Sequence, residues 1–217
     1  GWPLNVFLTP DQKPFYGGTY FPATGWTKLL TQVANVFKSQ RNEVEKSANG
    51  FMKTLGASEV QKYGLIDADI EFNSNDLTLM FDKLKSNFDV EKGGMNRAPK
   101  FPMPSIYAFL LRENHINKNK EGLDQVKLTL DQMAMGGLYD QIGGGFTRYS
   151  TDANWFVPHF EKMLYDNGQL VSLYSEAYTV TKTPLYKEIV YQSIEWLQRE
   201  MTNAEGGFYA ALDADSE

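Results

Sequence analysis

GGLYDQIGGGFTRYSTDANWFVPHFEKMLYDN, residues 136–167, separates one helical pattern from the next. Connections in compact domains run about 4 to 6 residues, and a longer one without periodicity is either disordered or functional. Disordered segments are poor in aromatics, whereas this one carries Tyr139, Phe146, Tyr149, Trp155 and Phe156. Such side chains are costly to leave in water. The stretch therefore reads as an ordered, site-forming loop; the plainer alternative is a packed plug between domains.

Working outward, Leu123, Val126, Leu130 and Met133 recur at helical spacing upstream and predict a helix over residues 123–135. Downstream, a helix over residues 160–181 carries two apolar rows, one through Phe160, Leu164, Val171, Tyr174 and Tyr178, the other through Met163, Leu170, Leu173 and Ala177. Further helices are expected from Ser74 or Asn75, with Leu77, Met80, Phe81, Leu84 and Phe88 on one face, over residues 105–114, and from Pro184, a favoured first helical residue. Near the start, LNVFL (residues 4–8) and residues 15–21 read as a β-hairpin about a turn at residues 9–14, and one long helix, interrupted near Gly50, is expected over residues 26–55.

In an array of antiparallel helical hairpins, alternate connections emerge on the same rim. Glycine pairs Gly93-Gly94, Gly136-Gly137 with Gly143 to Gly145, and Gly206-Gly207 follow the first, third and fifth of these later helices, so all three loops are expected on one rim. The short connections at 117–122 and 181–185 belong to the other.

Composition limits the chemistry. With 27 acidic and 21 basic residues among 217, the net charge of −6 argues against nucleic acid or anionic membrane as a partner. There is no cysteine, so thiolate catalysis, disulfides and Cys-ligated zinc are excluded within the chain. No cofactor is implied, and no His-x-x-x-His spacing suggests a metal site. The first residues, GWPLNVFLTP, lack the features of a signal peptide, and a cytoplasmic location is the matching expectation. They also lack a starting Met, which suggests a fragment whose further partners include the missing parts of the same polypeptide.

The candidate residues lie on the glycine-rich rim. GGFTRYSTDA (144–153) and GGFYAALDADSE (206–217) share a Gly-Gly-Phe followed by Asp-Ala, consistent with an internal repeat of about 60 residues. This brings Asp152, Asp213, Asp215 and Glu217 into one acidic group. Paired carboxylates can act as acid and base or nucleophile on a glycoside; equally, such acids bind backbone amides in tight turns. His159, at the expected start of a helix, is set to be neutral and base-competent beside the positive end of the dipole, or else to make a structural hydrogen bond. Glu161 suits that same first turn, and Lys162 and Asp166 are spaced to pair on the surface. Arg97, Tyr139, Arg148, Tyr149, Trp155 and Tyr165 can form a sugar site by stacking and forked hydrogen bonds, or can be rim packing. His115 reads as an exposed loop residue.

Together GWPLNVFLTPD, KPFYGGTYFP, GGMNRAPKFP, DQIGGGFTRYSTDANWFVPHFEKMLYDNGQL and GGFYAALDADSE resemble the spermatogenesis-associated thioredoxin-like proteins over essentially the whole chain. The resemblance implies a mainly α fold: a partial (α/α) toroid of helical hairpins, similar to six-hairpin glycosidases and sugar 2-epimerases, over residues 63–217, preceded by the β-β-α carboxyl-terminal part of a thioredoxin-like domain over residues 1–62. It also implies that Pro3 is the cis-proline of that domain. The expected function is a carbohydrate enzyme of the toroid class acting on a small carbohydrate. As an epimerase His159 would remove a proton, and as a hydrolase Asp152 and Asp213 or Asp215 would flank the bond. The alternative is a non-catalytic binding or redox-partner module that presents clients to the thioredoxin domain.

Overall fold

The computed structural model describes residues 3–64 and 73–215. The chain forms two compact units that divide between Ile70 and Glu71.

In the first unit, β1 (Asn5–Leu8) pairs antiparallel with β2 (Pro14–Gly18), with Asn5 opposite Gly18 and a bulge between Phe7 and Leu8. Two helices follow, α1 (Ala23–Ser39) and α2 (Arg41–Gly56), then the short α3 (Glu59–Tyr63). The expected single helix thus breaks at Gln40, not near Gly50. Gln40 leaves helical geometry at φ −130° and ψ 44°, although SQRNE carries no glycine or proline to announce it. The break has a tertiary cause: α2 folds back on β2, burying Val44 and Ala48, and the Ser47 hydroxyl donates to the Phe15 carbonyl at 3.2 Å. The Trp2–Pro3 bond lies outside the described residues; the cis peptide found among them is Ala98–Pro99.

The second unit contains α4 (Ser74–Lys85), α5 (Pro104–Asn117), α6 (Lys120–Met135), α7 (Leu164–Thr181) and α8 (Pro184–Glu200). Local chemistry sets their starts. Asn73 and Asp76 form a capping box on α4, Asn119 caps α6 through the Gly122 amide, and Pro104 and Pro184 open α5 and α8. Packing sets the rest: α5 lies against α4, α6 and α7, and α7 against α8. The core between them is fully enclosed at Tyr107, Leu110, Val126, Leu130, Met133, Leu170, Tyr174 and Tyr186.

The three glycine-rich loops do share one rim. Lys100 of the first loop exchanges backbone hydrogen bonds with Ser150 of the second, at 2.8 and 2.9 Å. The second pairs with the third through β5 (Lys162–Met163) and β6 (Ala211–Leu212), while β3 (Tyr149–Ser150) and β4 (Pro158–His159) pair within it.

These loops also repeat a geometry that the sequence comparison caught only in part. In each, two residues bridge across a tight turn: Phe88 with Met95, Tyr139 with Phe146, and Thr202 with Phe208. The next residue, Asp89, Asp140 or Asn203, sends its N–H to a glycine carbonyl and gathers two amides on its side-chain oxygen. In the first two loops a lysine completes the turn. Lys100 Nζ donates to Asp89 (2.7 Å) and the Gly93 carbonyl (2.8 Å), and Lys162 Nζ to Asp140 and the Gly144 carbonyl (both 2.8 Å). An indole then seals each one. Gly94 faces Trp155 and Gly145 faces Trp196, so closely that a Cβ would lie 2.5 and 2.6 Å from the rings, and both glycines take positive φ, near +77° and +80°. No other residue fits those positions.

Candidate functional site

Residues 158–163 run as one extended segment between β3 on one side and β6 on the other. Alternation along this segment sorts its side chains. Lys162 points down to Asp140 and the Trp196 ring, 5.0 Å from its centroid, and is buried. Glu161 takes the other face. The Arg148 N–H donates to the Glu161 carbonyl at 2.8 Å, and its guanidinium Nη1 meets the Glu161 carboxylate at 3.3 Å. The same guanidinium lies over the Tyr165 ring, 5.9 Å from its centroid. Asp166 follows in the first turn of α7.

Asp166 is the electrostatic anomaly of this cluster. Burial pushes its carboxyl above the ordinary value of 3.8; Arg148 works against this, and Glu161 adds to it. A helix start should favour a carboxylate, so burial here outweighs the dipole. Beside the cluster, Tyr149 is sandwiched between Phe101 (centroids 4.7 Å apart) and His159 (4.8 Å). His159 Nδ1 is enclosed and bonds to no described group.

The structure places the expected residues unevenly. His159 does not start a helix: it lies in β4, five residues before α7 begins at Leu164, so the dipole argument does not apply to it. Phe160, assigned to an apolar helix row, is outside the helix and exposed. Lys162 pairs with Asp140, not with Asp166. Asp152 is spent on its own turn. It accepts from the Asn154, Phe156 and Val157 amides and the Ser150 hydroxyl. Burial raises its carboxyl, but these bonds outweigh it and hold the group below the ordinary range, which does not suit a general acid.

Trp155 is no substrate platform. It is fully buried, its φ of +62° is strained for a non-glycine residue, and its indole donates to the Lys92 carbonyl at 2.9 Å beneath the first loop. Tyr139 is buried too, with its hydroxyl bonded to Gln192 at 2.7 Å and burial pushing it up to about 12. Arg97, Asp213 and Asp215 are exposed, and Asp213 accepts from the neighbouring Ala214 amide. Glu217 lies outside the described residues. Of the expected set, Arg148 and Tyr165 meet at the cluster, and Tyr149 and His159 stack beside it. Glu161 and Asp166 complete it. Periodicity hid them, because Glu161 read as an ordinary acid of a helix start and Asp166 as the surface partner of Lys162.

Among the described residues no group of His, Asp and Glu is placed to hold a metal ion, and no helix is long and apolar enough to cross a membrane.

Residues 1–56 match the family model Thioredox_DsbH, described as a protein of unknown function, DUF255. Human spermatogenesis-associated protein 20 is 37% identical over 230 residues, which takes in 100% of this chain and 29% of the human protein. Over its whole length the chain is similar to the spermatogenesis-associated thioredoxin-like proteins. It spans under a third of the length of that human protein.

For the helical unit, solved structures show the fold. A sugar epimerase from a ruminal bacterium aligns with a TM-score of 0.57 at 16% identity, covering 65% of this chain and 40% of the other. A family 76 glycoside hydrolase from a bovine Bacteroides thetaiotaomicron strain gives 0.53 at 16%, covering 75% and 34%. The architecture is therefore mainly α, a partial toroid of helical hairpins preceded in sequence by a β-hairpin and its helices.

Proposed function

We propose that the helical unit is a carbohydrate-acting enzyme of the sugar-epimerase type, with proton transfer carried out at the cluster of Arg148, Glu161, Tyr165 and Asp166 beside His159. One observation carries the reading: Asp166 is driven toward its neutral form while the adjacent Glu161 carries the ion pair to Arg148. Two carboxyl groups in different environments divide into donor and acceptor. The toroid likeness to sugar epimerases and glycoside hydrolases supports a sugar as substrate at the level of fold.

Arg148 favours epimerisation over hydrolysis. Removing a proton next to a sugar carbonyl builds negative charge on oxygen, which a fixed guanidinium stabilises. Glycoside cleavage passes through a positively charged oxocarbenium-like state, which the same guanidinium opposes. In this scheme Glu161 or His159 takes the proton and Asp166 returns one.

A second reading has its own support. Asp152, Tyr139 and Trp155 are internally satisfied, as befits a rim that binds without reacting and presents clients to the thioredoxin-like part. Incubating the chain with a panel of reducing aldoses in D2O separates the readings. Deuterium at C2 of the epimerised sugar, lost in Asp166→Asn, supports the epimerase; release of monosaccharide from glycosides supports a hydrolase. Neither product from any sugar leaves the binding module.

A further inference from the structure

α5 and α7 lie side by side and both start where a glycine-rich loop ends, so they leave the rim in the same direction. On α7, Tyr165, Gln169, Ser172 and Glu176 are spaced four, three and four residues apart, which puts them on one face. The stripe starts at the proposed reacting cluster, where Arg148 lies over the Tyr165 ring, and ends about 16 Å further along the helix. Ser105, Ala108 and Arg112 of α5 face its lower part, across an open cleft between the two helices. The room comes from small side chains, since Ser105, Ala108 and Ser172 stand where larger residues would fill the space. Ala108 and the buried Leu173 make an apolar floor, and the Arg112–Glu176 ion pair at 2.9 Å closes the far end.

The polar groups of this cleft are not spent on the fold. Three of the four Ser and Thr hydroxyls of α7, at Ser175, Thr179 and Thr181, donate to carbonyls of their own helix. Ser172 does not; like Ser105 and Gln169 it is exposed and bonds to no described group. The Arg112 guanidinium has five N–H donors and gives one, at Nη2, to Glu176. No other charged side chain lines the cleft, so its charges balance.

We infer that this cleft is a second sugar subsite, which holds a neutral pyranose joined to the one that reacts at the cluster. The substrate is then a disaccharide or longer glycan without phosphate or acid groups. The inference rests on the reading of Arg148, Glu161, Tyr165 and Asp166 as the reacting site. Hydroxyl, amide and guanidinium groups above an apolar floor match the O–H groups and C–H faces of a sugar ring. A phosphate or carboxylate would meet a guanidinium that is already neutralised, with the Glu176 carboxylate beside it to repel the newcomer.

The test is an amide chemical-shift titration of the chain with glucose and, separately, with maltose, cellobiose, lactose and glucose 6-phosphate. At least one disaccharide is expected to shift the cluster together with Ala108, Gln169 and Ser172 along one saturation curve. It should bind about tenfold more tightly than glucose, the return on one or two added hydrogen bonds. Ser172→Leu, an exposed change that fills the cleft, should abolish this gain and leave the glucose titration and the remaining spectrum as before; Ser105→Val is the second variant. The inference is overturned if no disaccharide shifts the cleft amides, or if those amides respond without the cluster. It is also overturned if both variants keep the gain, or if glucose 6-phosphate binds more tightly than every disaccharide. Failure of the epimerase reading looks different: no deuterium reaches C2 of any sugar, while the joint response of cluster and cleft to a disaccharide persists.

Discussion

Arg148 and Glu161 are joined twice, by a backbone hydrogen bond of 2.8 Å and by a side-chain ion pair of 3.3 Å. The backbone bond fixes the two Cα positions, so the ion pair does not depend on two long side chains finding each other. That preorganisation separates it from an ordinary surface pair, which contributes about 0 to 1 kcal/mol. It also leaves a guanidinium held in place beside a half-buried acid, Asp166.

Asp166→Asn should raise stability at neutral pH and remove any epimerisation. A carboxyl whose folded pKa is raised binds more protons folded than unfolded, so its effect on stability is favourable in acid. That benefit is lost as pH rises from 3.8 through the folded value. Urea unfolding of both proteins at pH 4 and pH 7 measures this, and the gain from the substitution should appear at pH 7 and shrink at pH 4. A loss of stability at pH 7 would show that the charged form is favourably held.

Lys100→Met should be among the most damaging single changes in the helical unit, at about 3 to 5 kcal/mol, since it strands a buried acid without its cation. Lys162→Met should cost less. The reason is solvent: Asp89 is 15% exposed in its pair, and Asp140 36%. Comparing the two variants by denaturant midpoint checks the order as well as the size.

The same pairs set the acid limit of the fold. Burial alone would raise Asp89 and Asp140, but the lysine and backbone amide hydrogen bonds outweigh it and hold both carboxyls below 3.8. Their contribution is complete above that value and is lost as pH falls through the folded values. Stability should therefore drop steeply below about pH 4, and less steeply once Lys100 is replaced.

Asp152→Ala should cost about 1 to 3 kcal/mol by leaving the Asn154, Phe156 and Val157 amides without their acceptor. Any sugar turnover by the folded fraction should change little. A large fall in turnover per folded molecule, with the melting temperature unchanged, would return Asp152 to the chemistry.

A chain without cysteine should reduce no disulfide faster than buffer alone. Insulin reduction by the purified chain, followed by turbidity, is the check.

Helix content, the hairpin at the start, the rim shared by three loops and the family resemblance were all legible in the residues. Apolar side chains spaced for one helical face, prolines at first helical positions and glycine pairs between periodic segments are local signals, and local physics decides them. Where the reading failed, the deciding partner was distant in sequence. Gln40 ends α1 because α2 has β2 to pack against. Pro158 and His159 stay extended because Ser150 and Tyr149 offer a strand to pair with. Trp155 looked like a sugar platform by its type, yet it is buried because Gly94, 61 positions earlier, leaves a face that only a ring fills.

The sequence by itself determined which chemistry is absent, which segments are helical and which loops gather on one rim, since composition, periodicity and the parity of hairpins need no coordinates. Only the tertiary structure decided which polar residues of that rim are spent on holding it together and which are left to act. Hydrogen bonds and burial set that division. An aspartate reads the same in a sequence whether three amides saturate it, as at Asp152, or the surrounding protein strips away its water, as at Asp166.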